Sequence, residues 1–223
     1  RDREDFDHLL EMKNRPMTAC VFEGDRLFSL EHCKQEYPAY GSTDYRHPAV
    51  QILQPNGSRV TDFVYLSHTV SPGKPPLEGL PATYCEADDE AETLTIRLWD
   101  TLLQAAVDLR YTLFSQHPAL ARSARLVNQG DQSLHLTHAM SLCLDLPDSD
   151  YEFVHFSGAW ARERWMKVRP LEQGIQSVES ARGTSSHNHN PFIMLRRPGT
   201  DEDAGEVIGF SLIYSGNFLA QAE

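Results

Sequence analysis

The sequence has 223 residues with 40% hydrophobic and 23% charged, a make-up that lets a chain of this length bury a core of its own. Its net charge of -12 and pI near 5.2 repel a phosphate backbone and exclude nucleic acid as a partner. No apolar run reaches the roughly 18–20 residues that span a bilayer, and residues 1–11 lack the apolar segment of a signal peptide, so a cytoplasmic protein with no membrane partner is expected.

In chain order, residues 1–13 carry Phe6, Leu9, Leu10 and Met12 among charges, a short helical pattern that Pro16 ends. Strands are predicted at 17–22 and 26–30 about a Glu23-Gly24-Asp25 turn, followed by a long irregular connection over 31–47. Residues 49–53 read as a strand. Pro55-Asn56-Gly57-Ser58 is a hairpin signal, because Asn-Gly accepts the positive φ of a tight turn. The returning strand, 60–70, places Val60, Phe63, Tyr65 and His68 in phase. Residues 71–81 hold enough Pro and Gly to be a loop.

Over 93–100, Leu94, Ile96 and Leu98 alternate with Thr95, Arg97 and Trp99, so Trp99 is expected on a sheet face. Further strands are predicted at 102–114, 119–128, 134–146 and 151–156, then at 191–196 and 207–214. Turns are expected at 129–132 and at 197–205, where Asp201, Glu202 and Asp203 form a solvated turn. The end, 210–222, is apolar and β-prone, and such an unpaired edge argues for a domain continuing beyond residue 223. Short strands with frequent turns predict an all-β fold of layered sheets. Cys20, Cys33, Cys85 and Cys143 show no CxxC spacing; they are expected as reduced core thiols, with neither metal nor cofactor.

The densest chemistry lies in 157–192, read as an arginine-rich loop. Trp160 and Trp165 stand beside Arg162, Glu163, Arg164, Glu179 and Arg182, a mixture that suggests half-buried ion pairs locking the loop. The tryptophans read as core or subunit-interface anchors, or else as platforms for sugar rings. His187 and His189 share one face if they lie in a strand. Two imidazoles at that spacing suit a metal, but no third ligand stands near, so hydrogen bonds under the loop are expected. Asp44 and Arg46 read either as a local ion-paired turn or as a polar binding pair.

The segments GAWARER, ESARGTSSHNHNPF and the run from Arg197 to Glu223 resemble the N-terminal domain of glycoside hydrolase family 36 α-galactosidases. PAYGSTDYRHPAVQI resembles the same family near its start, and the likeness runs in order from about Tyr40 to the last residue. The resemblance implies a β-supersandwich over residues 1–223, incomplete at its C-terminal end, that precedes a (β/α)₈ barrel. The barrel would hold two catalytic aspartates, one in a KWDMN-like strand end. They remove terminal α-galactose from melibiose and raffinose with retention, which needs two carboxyls about 5–5.5 Å apart. No KWDMN-like segment occurs here, so no catalytic residue is assigned to this chain and it is expected to be inactive alone.

By the same resemblance the partners are α-galactoside sugars, the barrel, and further copies in a tetramer. Asp44 maps to an aspartate that contacts galactose hydroxyls across a subunit boundary, with Arg46 beside it. The family usually has Gly before that aspartate, and here Thr43 stands there. Two other readings compete. One is a stand-alone carbohydrate-binding sandwich using Trp160 or Trp165. The other is a galactose mutarotase using His155 or His187 with Glu163.

Overall fold

The computed structural model describes residues 33–41 and 46–223. The helix expected at 1–13 and the strands at 17–22 and 26–30 lie outside them, as do Cys20 and Asp44. Twelve strands and one 3₁₀ turn, Asp88–Glu90, make up the regular structure of the described residues, in keeping with the all-β expectation. The chain forms two compact units. One comprises residues up to Pro75 together with Cys85–Asp145; the other comprises Pro76–Tyr84 and Leu146–Glu223.

The first unit contains an antiparallel sheet of order β2-β3-β4-β5, with β2 at Val64–Pro72, β3 at Ala91–Asp100, β4 at Ala105–Phe114 and β5 at Leu120–Asn128. Register places Leu98 opposite Val107 and Val107 opposite Leu126, so the apolar alternation of three strands falls on one face. Val107 and Leu109 are buried there. A smaller antiparallel pair, β1 (Val50–Leu53) with β6 (His135–Ala139), belongs to the same unit. Val50 and Ile52 of β1 join Leu103 and Ala105 in a core cluster with Leu126 and Leu134 around it.

Several boundaries differ from the sequence reading. The Asn-Gly turn forms, with Gly57 at φ +83° and its N–H donating to the Gln54 carbonyl, but it closes no hairpin. The strand before it pairs with β6, and the strand after it pairs with β3. A bulge between Tyr65 and Ser67 puts Tyr65 opposite Leu98 and His68 opposite Ile96, which explains why their spacing is three rather than two. Strand β4 starts at Ala105, not at Leu102. The Asp100 carboxylate accepts the Leu102 and Leu103 amides at 2.9 and 3.0 Å, pinning a turn that leaves Leu102 94% exposed and turns Leu103 inward. The strand expected over 134–146 is confined to β6.

The second unit has a four-stranded antiparallel sheet of order β11-β10-β7-β8: β7 Glu152–Ala159, β8 Arg162–Pro170, β10 His189–Arg196 and β11 Val207–Ser211. A two-stranded sheet pairs β9 (Gln176–Ser180) with β12 (Phe218–Ala222). Phe153, Ile193 and Leu195 of the larger sheet bury themselves with Val178 and Phe218 of the smaller one. Each such side chain contributes about 1.5–3 kcal/mol by leaving water. The apolar stretch 210–222 is thus two strands rather than one, and its second half is paired with β9.

The largest correction concerns 157–192, which is mostly strand. β7 runs to Ala159 and β8 returns from Arg162 through Trp165, Met166 and Val168, residue types that favour a pleated surface. The reversal at Trp160-Ala161 holds Ala161 at φ +61°. Gly158 makes the close return possible, because a Cβ there would lie 2.2 Å from the Arg162 carbonyl oxygen.

Candidate functional site

Asp44 lies outside the described residues, and the described residues on either side of it make defined contacts. Upstream, Ala39 bridges Val50, the Ala49 amide donates to the Pro38 carbonyl, and the Thr61 amide donates to the Tyr40 carbonyl at 2.9 Å. Gly41 follows at φ +106°, where a Cβ would lie 2.4 Å from a Val60 methyl. Both the backbone angle and the close approach call for glycine there.

Downstream stands Arg46. Its Nη1 donates to Asp145 Oδ2 at 2.5 Å and its Nη2 to the Cys33 carbonyl at 2.7 Å. The same Asp145 oxygen accepts the Gln35 backbone amide at 2.6 Å. Arg46 is thus ion-paired within its own unit.

A second polar cluster supports the same region. Arg122, its side chain only 5% exposed, pairs with Glu36 at 2.8 Å and lies 4.4 Å over the Tyr111 ring. The Tyr111 hydroxyl donates to the same Glu36 carboxylate. Arg122 Nη1 also donates to the Cys143 carbonyl, and the Tyr37 hydroxyl donates to the Met140 carbonyl at 3.0 Å. Burial pushes the Tyr37 phenol up to about 12 and the Cys143 thiol up to about 11, the latter helped by the Asp145 carboxylate. The thiol is protonated at neutral pH and is no nucleophile. Cys33 is buried, and Cys85 and Cys143 are half-buried.

The residues singled out in 157–192 do not form an ion-paired lock. Among the described residues, Arg162, Glu163, Arg164, Glu179 and Arg182 make no salt bridge with one another. Glu163 instead accepts the Ala161 amide of its own turn at 2.8 Å. Trp160 is 80% and Trp165 63% exposed, so neither anchors a core within this chain. Strand β8, which carries Trp165, is exposed along its whole length, which leaves Arg162, Glu163 and Arg164 solvated rather than driven together.

His187 and His189 do not share a strand face. His187 sits in the exposed turn before β10, while His189 opens β10 and lies 6.1 Å from His155 of β7. The Nδ1 atoms of His155 and His189 are buried without a hydrogen-bond partner, contrary to the expectation of satisfied rings. Among the described residues no three metal-ligating side chains gather. Among the described residues no hydrogen bond joins Glu163 to His155 or His187. Asp201 behaves as expected, accepting the Asp203 and Ala204 amides at 2.9 Å in an exposed turn.

The described residues form open antiparallel sheets, and such an all-β fold does not by itself assign a function. The model of the glycosyl hydrolase family 36 N-terminal domain matches residues 6–223, and the chain belongs to that family. Curated relatives include the α-galactosidase AgaA of Geobacillus stearothermophilus, 53% identical over 89% of this chain. The probable α-galactosidase C of Aspergillus terreus is 42% identical over 85% of it. The chain spans 27% and 25% of the length of these two relatives. The crystal structure of AgaA superposes on 93% of this chain and 29% of its own at a TM-score of 0.90 and 51% identity. An α-galactosidase structure from Lactobacillus brevis gives the same TM-score at 42% identity over 94% of this chain and 28% of its own. Structures of AgaA variants hold stachyose and raffinose.

Proposed function

We propose that this chain is the accessory β-domain of a retaining α-galactosidase acting on terminal α-galactosides of the raffinose type. It serves as scaffold for the catalytic barrel, supplies an oligomer interface, and extends the loop of Asp44 toward a sugar bound elsewhere. The observation that carries this reading is the match of residues 6–223 to the N-terminal domain of a family whose relatives are α-galactosidases. A carboxylate that accepts hydrogen bonds from sugar hydroxyls suits that role, since it selects stereochemistry without taking part in bond cleavage. Kinetics on an aryl α-galactoside test it. The full-length protein should turn the substrate over, and Asp44→Ala in that protein should raise KM by about tenfold with kcat little changed.

The exposure of Trp160 and Trp165 favours a second reading, a sugar-binding module active by itself. Calorimetry of the isolated chain with galactose and raffinose separates the two. Sub-millimolar binding supports the module; no measurable binding supports the accessory domain.

A further inference from the structure

We propose that one end of the sheet formed by β10, β7 and β8 binds a phosphate-class oxyanion, held by His155, His189 and Lys167. Register puts these side chains on one face. Phe153 of β7 lies opposite Arg169 of β8, His155 lies opposite Lys167, and Ser157 lies between Trp165 on β8 and His189 on β10. At Phe153 this face is core, packed against Val178 and Phe218 of the β9–β12 pair. Two and four residues further along β7 it emerges into solvent, where Trp165 is 63% exposed and Lys167 is exposed beside it. The rings of His155 and His189 stand there with centroids 6.1 Å apart. Their Nδ1 atoms are buried without a partner. Their Nε2 atoms make no hydrogen bond among the described residues and stay open to solvent. A sealed N–H without an acceptor is the costlier arrangement, so each neutral ring carries its proton on Nε2 and presents it outward as a donor.

The charge at this end is unbalanced. The chain as a whole carries -12, yet among the described residues neither Lys167 nor Arg169 pairs with a carboxylate. Arg169 is occupied, lying 4.9 Å over the Phe153 ring with its Nη2 donating to the Ser177 carbonyl at 3.4 Å, so it adds field rather than a free donor. Burial, then Arg169, His189 and Lys167, lower the proton affinity of His155, and none of those charges is negative. Strand β9 turns Val178 and Ser180 inward and Glu179 to solvent, and β11 and β12 carry no titratable side chain, so no acid faces the imidazoles from them. Such a field repels a metal cation and attracts an anion. Two imidazole N–H groups and one ammonium are three donors, which match the three terminal oxygens of a phosphate better than the two of a carboxylate. The exposed indole of Trp165 alongside offers a platform for the ring of a phosphorylated sugar.

Calorimetry on the full-length protein with inorganic phosphate, glucose 6-phosphate and sulfate tests the site, with ionic strength held constant by chloride. The gluco stereochemistry keeps the sugar probe from a site built for galactose. The expected result is saturable phosphate binding with a Kd of about 1 mM, weakened at least about fivefold in Lys167→Gln and in His189→Gln. Thermal melting checks both variants, and Lys167→Gln, on an exposed strand, carries the test if His189→Gln melts lower. Sulfate keeps its charge between about pH 7.5 and pH 5.5 and should bind more tightly at the lower pH, because a bound anion favours the imidazolium. Tighter binding of glucose 6-phosphate than of phosphate, lost in Trp165→Ala, supports the site and identifies a phosphorylated sugar as its ligand. Equal binding of the two supports it and identifies free phosphate. No saturable binding of any probe below about 20 mM overturns the inference. So does phosphate binding that Lys167→Gln leaves unchanged, because the anion then sits elsewhere.

Discussion

At the scale of single residues, the clearest stabilising contact is a cross-strand pair. Arg97 of β3 and Asp108 of β4 lie in register, and the guanidinium grips the carboxylate with two bonds of 2.6 and 2.8 Å. Asp108 is almost wholly buried while Arg97 keeps partial contact with water. Asp108→Ala should therefore cost about 1–3 kcal/mol in a denaturant melt, since Arg97 can rehydrate. The Arg97 hydrogen bonds hold the Asp108 carboxyl below the usual carboxylate range. A depressed carboxyl pKa stabilises the fold fully above the unfolded value, near 4, and that contribution is lost as pH falls through the folded value. Asp108→Asn should flatten the loss of stability below about pH 4 in an acid titration followed by circular dichroism.

His155 has the opposite charge chemistry. Burial, then the charges of Arg169, His189 and Lys167, lower its proton affinity. The unfolded chain takes up the proton first, so stability is complete above the ordinary imidazole value near 6.5 and declines as pH drops below it. Melting temperature should fall between pH 7.5 and pH 5.5, and His155→Gln should fall less over the same interval. Equal slopes would remove His155 from the account.

At the scale of elements, the hairpin of β7 and β8 decides how 157–192 is understood. Its charges suggested a locked loop; its backbone is a ribbon closed by Trp160 and Ala161. Gly158→Ala would push a Cβ into the Arg162 carbonyl and should destabilise the chain by roughly 1–3 kcal/mol. Trp160→Ala, at an 80% exposed position, should change stability by less than about 0.5 kcal/mol in the same melts. A large loss on removing Trp160 would restore the anchor reading for this chain.

The same elements explain what the sequence discloses. Alternation revealed β3 and β4 because one face of each is buried, and period two is then enforced by the core. Strand β8 is exposed on both faces, so no such constraint marks it, and its arginines resemble those of a loop. The Asn-Gly signal identified a turn but not its partners, since local chemistry sets φ while β1 finds β6 more than 80 residues away. Arg46 was visible as a candidate. Asp145 was not, because its partner lies 99 residues away and LCLDLP reads as a strand.

At the scale of the whole molecule, the chain forms two β-units, each with its own core cluster. Family membership spans nearly the full chain, while the chain spans about a quarter of its curated relatives. Under the function proposed above, this domain holds and presents while the bond-breaking chemistry belongs to the rest of the full-length protein. The direct measurement is release of the aryl group from an aryl α-galactoside by the 223-residue chain and by the full-length protein, side by side at equal concentration. The account expects turnover by the full-length protein and none above background by this chain. Sustained turnover by the chain alone would contradict it.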